Sequence, residues 1–227
     1  LDARPRLVAL ASCHFVAGWR IELESISALL RPRGILFCVD GIQTVGAFPT
    51  PARFFDFLAA DAHKWMLGPC AAGLLYVSEA ARERLRPRIL GWNNVQCPDY
   101  VARDRVEFQP GGRRFEAGSH NLLGLVGLNA CMELLLEAGI EAIAADLLRK
   151  RERIITRLKA RGCQILHAAA PAAHAGGILS FFKPGADMIA LHQRLEQAGV
   201  AASLRKDRQG QSYLRFSPHF YNTDAEL

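Results

Sequence analysis

The chain has 227 residues, half of them apolar, 22% of them charged, with a net charge of +6. That apolar share can build a core, which excludes an intrinsically disordered chain. Mean hydropathy is only +0.06, no apolar run reaches the ~18 residues of a membrane span, and no secretory leader is expected.

The elements alternate along the chain. Residues 7–11 read as a strand. Residues 21–30 place apolar side chains at 21, 23, 26, 29 and 30, a helical spacing. Ile35-Leu36-Phe37-Cys38-Val39 is a continuous apolar run ending in Asp40, the pattern of a strand buried on both faces. Shorter runs at 57–60, ending at Asp61, and at 73–77 read as further strands, with a helix at 79–85. Alternation of this kind predicts an α/β domain with a mostly parallel sheet. Residues 87–118 are irregular, punctuated by Pro87, Gly91, Pro98, Pro110, Gly111, Gly112 and Gly118. Two long helices are predicted at 121–138 and 140–160, the second closed by Gly162. Beyond them, strands at 163–167, 177–182, 200–204 and 212–217 surround a helix at 186–198. The predicted organisation is a large α/β domain over 1–138 and a small α+β domain over 139–227.

The positive charge is scattered as Arg4/Arg6, Arg31/Arg33, 82–88 and 149–153. Such clusters form solvated helix faces. They also leave a basic nucleic-acid-binding domain as an alternative, although no aromatic–basic interleaving accompanies them. An anionic small ligand would also welcome the charge. The six cysteines (13, 38, 70, 97, 131 and 163) are widely spaced with no C-x-x-C. They read as reduced thiols of a cytoplasmic protein, not as disulfides or a metal site.

Two constellations carry chemistry. Asp40-Gly41-Ile42-Gln43 puts a carboxylate at the C-terminal end of an apolar strand, where α/β sheets bind ligands; an Asp-Gly turn is the plainer reading. Asp61-Ala62-His63-Lys64-Trp65-Met66-Leu67-Gly68-Pro69 places a lysine inside an apolar segment after another strand. If desolvated there, Lys64 is an amine nucleophile suited to forming an imine with an aldehyde; otherwise it snorkels to the surface. Together, a lysine and an acid at nearby strand ends are what pyridoxal 5'-phosphate needs: the lysine for its aldehyde, the acid for its ring nitrogen. Gln43 and His63 would then position the ring.

Asp-Gly-x-Gln-x-x-Gly followed by Ala-His-Lys-Trp-x-x-Gly-Pro resembles the class-V aminotransferase family of fold-type-I pyridoxal-phosphate enzymes. Arg114-Phe115-Glu116-Ala117-Gly118-Ser119-His120-Asn121 is similar to its Phe-Glu-x-Gly-Thr stretch. Leu214-Arg215-Phe216-Ser217-Pro218-His219-Phe220-Tyr221-Asn222 is similar to its Arg-x-Ser-x-x-x-Tyr-Asn segment. The resemblance implies that Lys64 is catalytic and binds the cofactor with Asp40, Gln43 and His63. It implies that Ser119 serves the phosphate of a neighbouring subunit, hence a homodimer with shared active sites, and that Arg215 binds the carboxylate of an amino-acid substrate. It also implies that these residues are a piece of a longer chain, with a preceding segment missing and the last helix truncated. Transamination, elimination and epimerisation share this apparatus, and a catalytically inactive interaction module is the rival from another class. No metal, membrane or nucleic acid is expected to take part.

Two departures from the family pattern bear on function. Asp61 stands where many relatives carry a phosphate-touching Ser or Thr, and its charge would repel a phosphate unless it points away. Residues 203–210, where cysteine desulfurases carry a catalytic cysteine, hold none, so desulfurase activity is expected to be disfavoured. Arg205 and Arg208 in this stretch either recognise an acidic substrate or belong to a solvated turn.

Overall fold

A computed structural model describes residues 4–96, 101 and 104–227. The chain divides into two compact units. The first takes the chain to Leu10, then Leu23–Asp40 and Pro51–Met132; the second takes Ala11–Glu22, Gly41–Thr50 and Glu133–Leu227. Cys97 and Pro98, named above, lie outside the described residues.

The first unit is built on a sheet of four strands in the order β1-β2-β3-β4: β1 Leu7–Ala11, β2 Leu36–Asp40, β3 Phe57–Asp61 and β4 Gly73–Val77. The apolar run of β2 buries Phe37 and Val39. The amide of Phe37 donates to the Asp56 carboxylate (2.8 Å), which ties the strand to the entry of β3. Strands β2 and β3 run parallel with Asp40 opposite Ala59, so both strands end at the same sheet edge. β4 returns antiparallel to β3, a departure from a wholly parallel sheet. The connection 62–72 is too short for the crossover that a parallel neighbour requires. Helix α1 (Leu23–Leu30) precedes β2, and α2 (Glu79–Arg84) follows β4. The Ser78 hydroxyl caps α2 by accepting from the Ala81 amide (3.2 Å). Within the irregular 87–118 stretch, a bridge pairs Val95 with Phe108 among the described residues. Helix α3 (Leu122–Ala138) follows.

The second unit holds α4 (Ile140–Lys159), α5 (Met188–Gln197) and an antiparallel sheet in the order β5-β6-β8-β7: β5 Gln164–Ile165, β6 Leu179–Phe182, β7 Ser203–Lys206 and β8 Ser212–Phe216. Ile154 and Ile155 of α4, Leu179 and Phe181 of β6, Met188 of α5 and Leu214 of β8 form its core. Each such side chain contributes about 1.5–3 kcal/mol by leaving water. Two cations of α4 are buried with partners. Lys150 meets Asp146 (2.6 Å) and donates to the Phe220 carbonyl (2.6 Å). Arg151 donates to the carbonyls of Ile178 (2.7 Å) and His167 (3.0 Å). The strand predicted at 200–204 lies at 203–206: β7 is an edge strand, where charged Arg205 and Lys206 are tolerated. No single helix among the described residues is long and apolar enough to cross a membrane.

Candidate active site

At the shared edge of β2 and β3, the first unit presents three of the predicted residues. Asp40 ends β2 with its side chain at the surface. β3 ends at Asp61 and leads into a tight loop whose alternate sides face in and out. Ala62, Trp65 and Met66 are buried, and they anchor the loop; His63 and Lys64 between them are exposed. The amide of Leu67 closes the turn on the Lys64 carbonyl (3.0 Å), and Gly68 returns its amide to the Ala62 carbonyl (2.8 Å). A side chain at residue 68 would force the loop to shift, since a Cβ there would sit 2.6 Å from that of Ala62. Leu67 takes a left-handed backbone (φ 58°), a conformation that costs a residue with a Cβ roughly 1–2 kcal/mol. The Cys131 thiol donates to the Leu67 carbonyl (3.1 Å).

Lys64 is therefore not desolvated, which corrects one of the two sequence readings: the apolar neighbours turn inward and the lysine projects outward. An outward amine at a sheet edge is open to a cofactor aldehyde. Asp61 also finds its place. Its carboxylate meets Nδ1 of His63 at 3.0 Å, and this hydrogen bond from His63 holds the carboxyl below its ordinary range despite an opposing desolvation. The aspartate is thus committed to orienting the His63 ring.

Ser119 is exposed in the segment before α3. It is not the cap of that helix. Asn121 is: its side-chain oxygen accepts from the Gly124 amide (3.1 Å), and its Nδ2 donates to the Ala71 carbonyl (3.2 Å). The other two predicted residues belong to the second unit. Gln43 is buried in the turn after β2. Arg215 lies on β8, where Nη1 donates to the Phe15 carbonyl (2.9 Å) and Nη2 to the Ser203 hydroxyl (3.3 Å). Burial, and secondarily the charge of Arg205, push the Arg215 guanidinium below its usual value. Among the described residues no cluster of side chains could hold a metal ion, and the cysteines are free: Cys13 buried, Cys38, Cys131 and Cys163 half-buried, Cys70 exposed.

The donor set fits pyridoxal phosphate. A carboxylate ends β2, an exposed amine stands in the loop just beyond the parallel β3, and the Asp61 carboxylate, whose charge would repel a phosphate, is engaged by His63.

A family model, aminotransferase class-V, matches residues 1–227. An uncharacterized aminotransferase of Bacillus subtilis is 26% identical over 97% of this chain and 56% of its own length. A probable cysteine desulfurase of Pyrococcus abyssi is 26% identical over 98% of this chain and 57% of its own. Among solved structures, a cystine C–S lyase in complex with its reaction product, cysteine persulfide, superposes with a TM-score of 0.82 at 26% identity, covering 100% of this chain and 60% of that one. The chain thus spans a little over half the length of these relatives. The expectation that desulfurase activity is disfavoured is corrected, because the matching proteins and structures are repeatedly cysteine desulfurases. The missing loop cysteine did not separate this sequence from them.

Proposed function

Because the chain belongs to the class-V aminotransferase family, we propose that it forms part of a pyridoxal-phosphate-dependent enzyme that cleaves the carbon–sulfur bond of a sulfur-bearing amino acid. The cofactor is pyridoxal 5'-phosphate, which supplies an electron sink for charge developing at the substrate α-carbon. The observation that carries the reading is the outward Lys64 at the sheet edge where β2 delivers Asp40. The substrate class is supported by the desulfurases and the cystine lyase among the relatives.

In this reading Lys64 holds the cofactor covalently and moves the proton at the substrate α-carbon. Asp40 keeps the ring nitrogen protonated. His63, its ring oriented by Asp61, and Gln43 position the ring. Arg215 binds the substrate carboxylate, a task for which a planar fork of donors is suited. Ser119 serves the phosphate held by the second subunit of a homodimer.

Two measurements on the full-length protein test this. Titration with pyridoxal phosphate is expected to give a protein-bound visible absorption band that Lys64→Ala lacks; a band unchanged in the variant would remove Lys64 from its role. Incubation of the loaded enzyme with cysteine or cystine is expected to yield alanine or pyruvate. Formation of neither, with transamination of other amino acids instead, would overturn the substrate class.

A further inference from the structure

The second unit carries a pair of arginines that its own side chains leave unbalanced. Arg205 on β7 and Arg215 on β8 belong to paired strands. Ser203 stands opposite Arg215 and Arg205 opposite Tyr213, so Arg205, two residues along from Ser203, shares the sheet face of Arg215. Both are half-buried. Their donors go to neutral oxygens: Arg205 Nη1 to the Leu204 carbonyl (2.9 Å), Arg215 to the Phe15 carbonyl and the Ser203 hydroxyl. Each Nε–H is buried with no hydrogen-bond partner. Neither cation meets a carboxylate among the described residues. The nearby Asp207 does not serve them, because it accepts from the Tyr213 hydroxyl (2.9 Å) and from the amides of Gln209 and Gln211 (2.9 Å each). Arg208, by contrast, lies exposed in the turn beyond β7.

Two like charges on one face repel, and a buried donor without a partner costs about 1–3 kcal/mol. An arrangement of this kind is relieved by anionic ligand groups, which guanidinium forks bind bidentately. We propose that Arg205 and Arg215 together form a paired anion site, and that the sulfur-bearing amino acid cleaved by the enzyme carries a second anionic group beyond its α-carboxylate. Arg215 takes the α-carboxylate and Arg205 the side-chain anion. This assignment of Arg215 rests on the function proposed above, whereas the existence of the paired site does not.

The test is calorimetric binding to the full-length protein, with succinate and butyrate as probes of equal chain length carrying two carboxylates and one. Wild type is expected to bind succinate at least about tenfold more tightly than butyrate, the second carboxylate adding one charge-assisted contact. Equal affinities would overturn the proposal without any variant. Arg205→Gln is expected to bring the two affinities within about threefold of one another by weakening succinate alone, and Arg205→Lys to keep a preference. A preference that survives Arg205→Gln would show that Arg205 does not supply it. The pyridoxal-phosphate absorption band is recorded in parallel. Succinate preference without the band would overturn the function proposed above and leave the paired site standing; the band without the preference would do the reverse.

Discussion

Cys13 shows how far one buried group can couple to pH. Its thiol is 1% exposed. Burial raises its pKa from 9.0 to about 11, against the opposing charges of Arg20 and Arg151. A group with a raised folded-state pKa contributes stability that is complete below its unfolded value and is lost as pH rises through the folded one. Stability should therefore fall between pH 9.0 and about 11, at up to ~1.4 kcal/mol per pH unit. Urea midpoints measured at pH 8 and above are expected to drop more steeply for wild type than for Cys13→Ala, and parallel curves would remove Cys13 as the cause. The sequence marks Cys13 only as one of six reduced thiols, and its burial comes from the fold. The sequence does not announce what Asp61 does. A carboxylate beside a lysine motif has many possible partners, and only the loop's folded shape selects His63. The cap of α3 is Asn121, immediately before the apolar run, and not the motif residue Ser119 two positions earlier.

The strands that carry the candidate site were legible because an apolar run ending in an aspartate recurs at 35–40 and 57–61. Direction was not: β4 reads like its neighbours, and only the length of the 62–72 connection turns it antiparallel. The charges of β7 mask a strand in the sequence, and they are tolerated because β7 lies at an edge. The 62–72 loop also yields a prediction. With Ala62 in contact distance, a methyl at residue 68 must displace the loop that presents Lys64. Gly68→Ala is expected to cost about 1–3 kcal/mol, or roughly 2–4 °C of melting temperature per kcal/mol. It should also weaken the pyridoxal-phosphate absorption band at a fixed cofactor concentration. A variant with unchanged melting temperature and unchanged cofactor titration would show that the close approach at residue 68 does not fix the loop.

At the scale of the whole molecule, helix α3 stands out. Its sequence, LLGLVGLNACMELLLEA, is apolar nearly all round, the composition of a helix covered on every side. Yet only a narrow stripe including Leu128 and Leu135 is buried, while Leu122, Leu123, Val126 and Leu136 are exposed, at 70%, 88%, 71% and 71%. Exposed apolar surface of this kind marks an association face. The homodimer proposed above supplies a partner for it. Leu123→Glu with Val126→Glu, both on surface side chains, should leave the fold intact and load the face with charge that is costly to bury. In the full-length protein the double substitution is expected to shift the mass found by light scattering from two copies toward one. Circular dichroism should stay unchanged. A dimer that persists at the same concentrations would place its interface elsewhere and leave α3 to be covered by the rest of the chain.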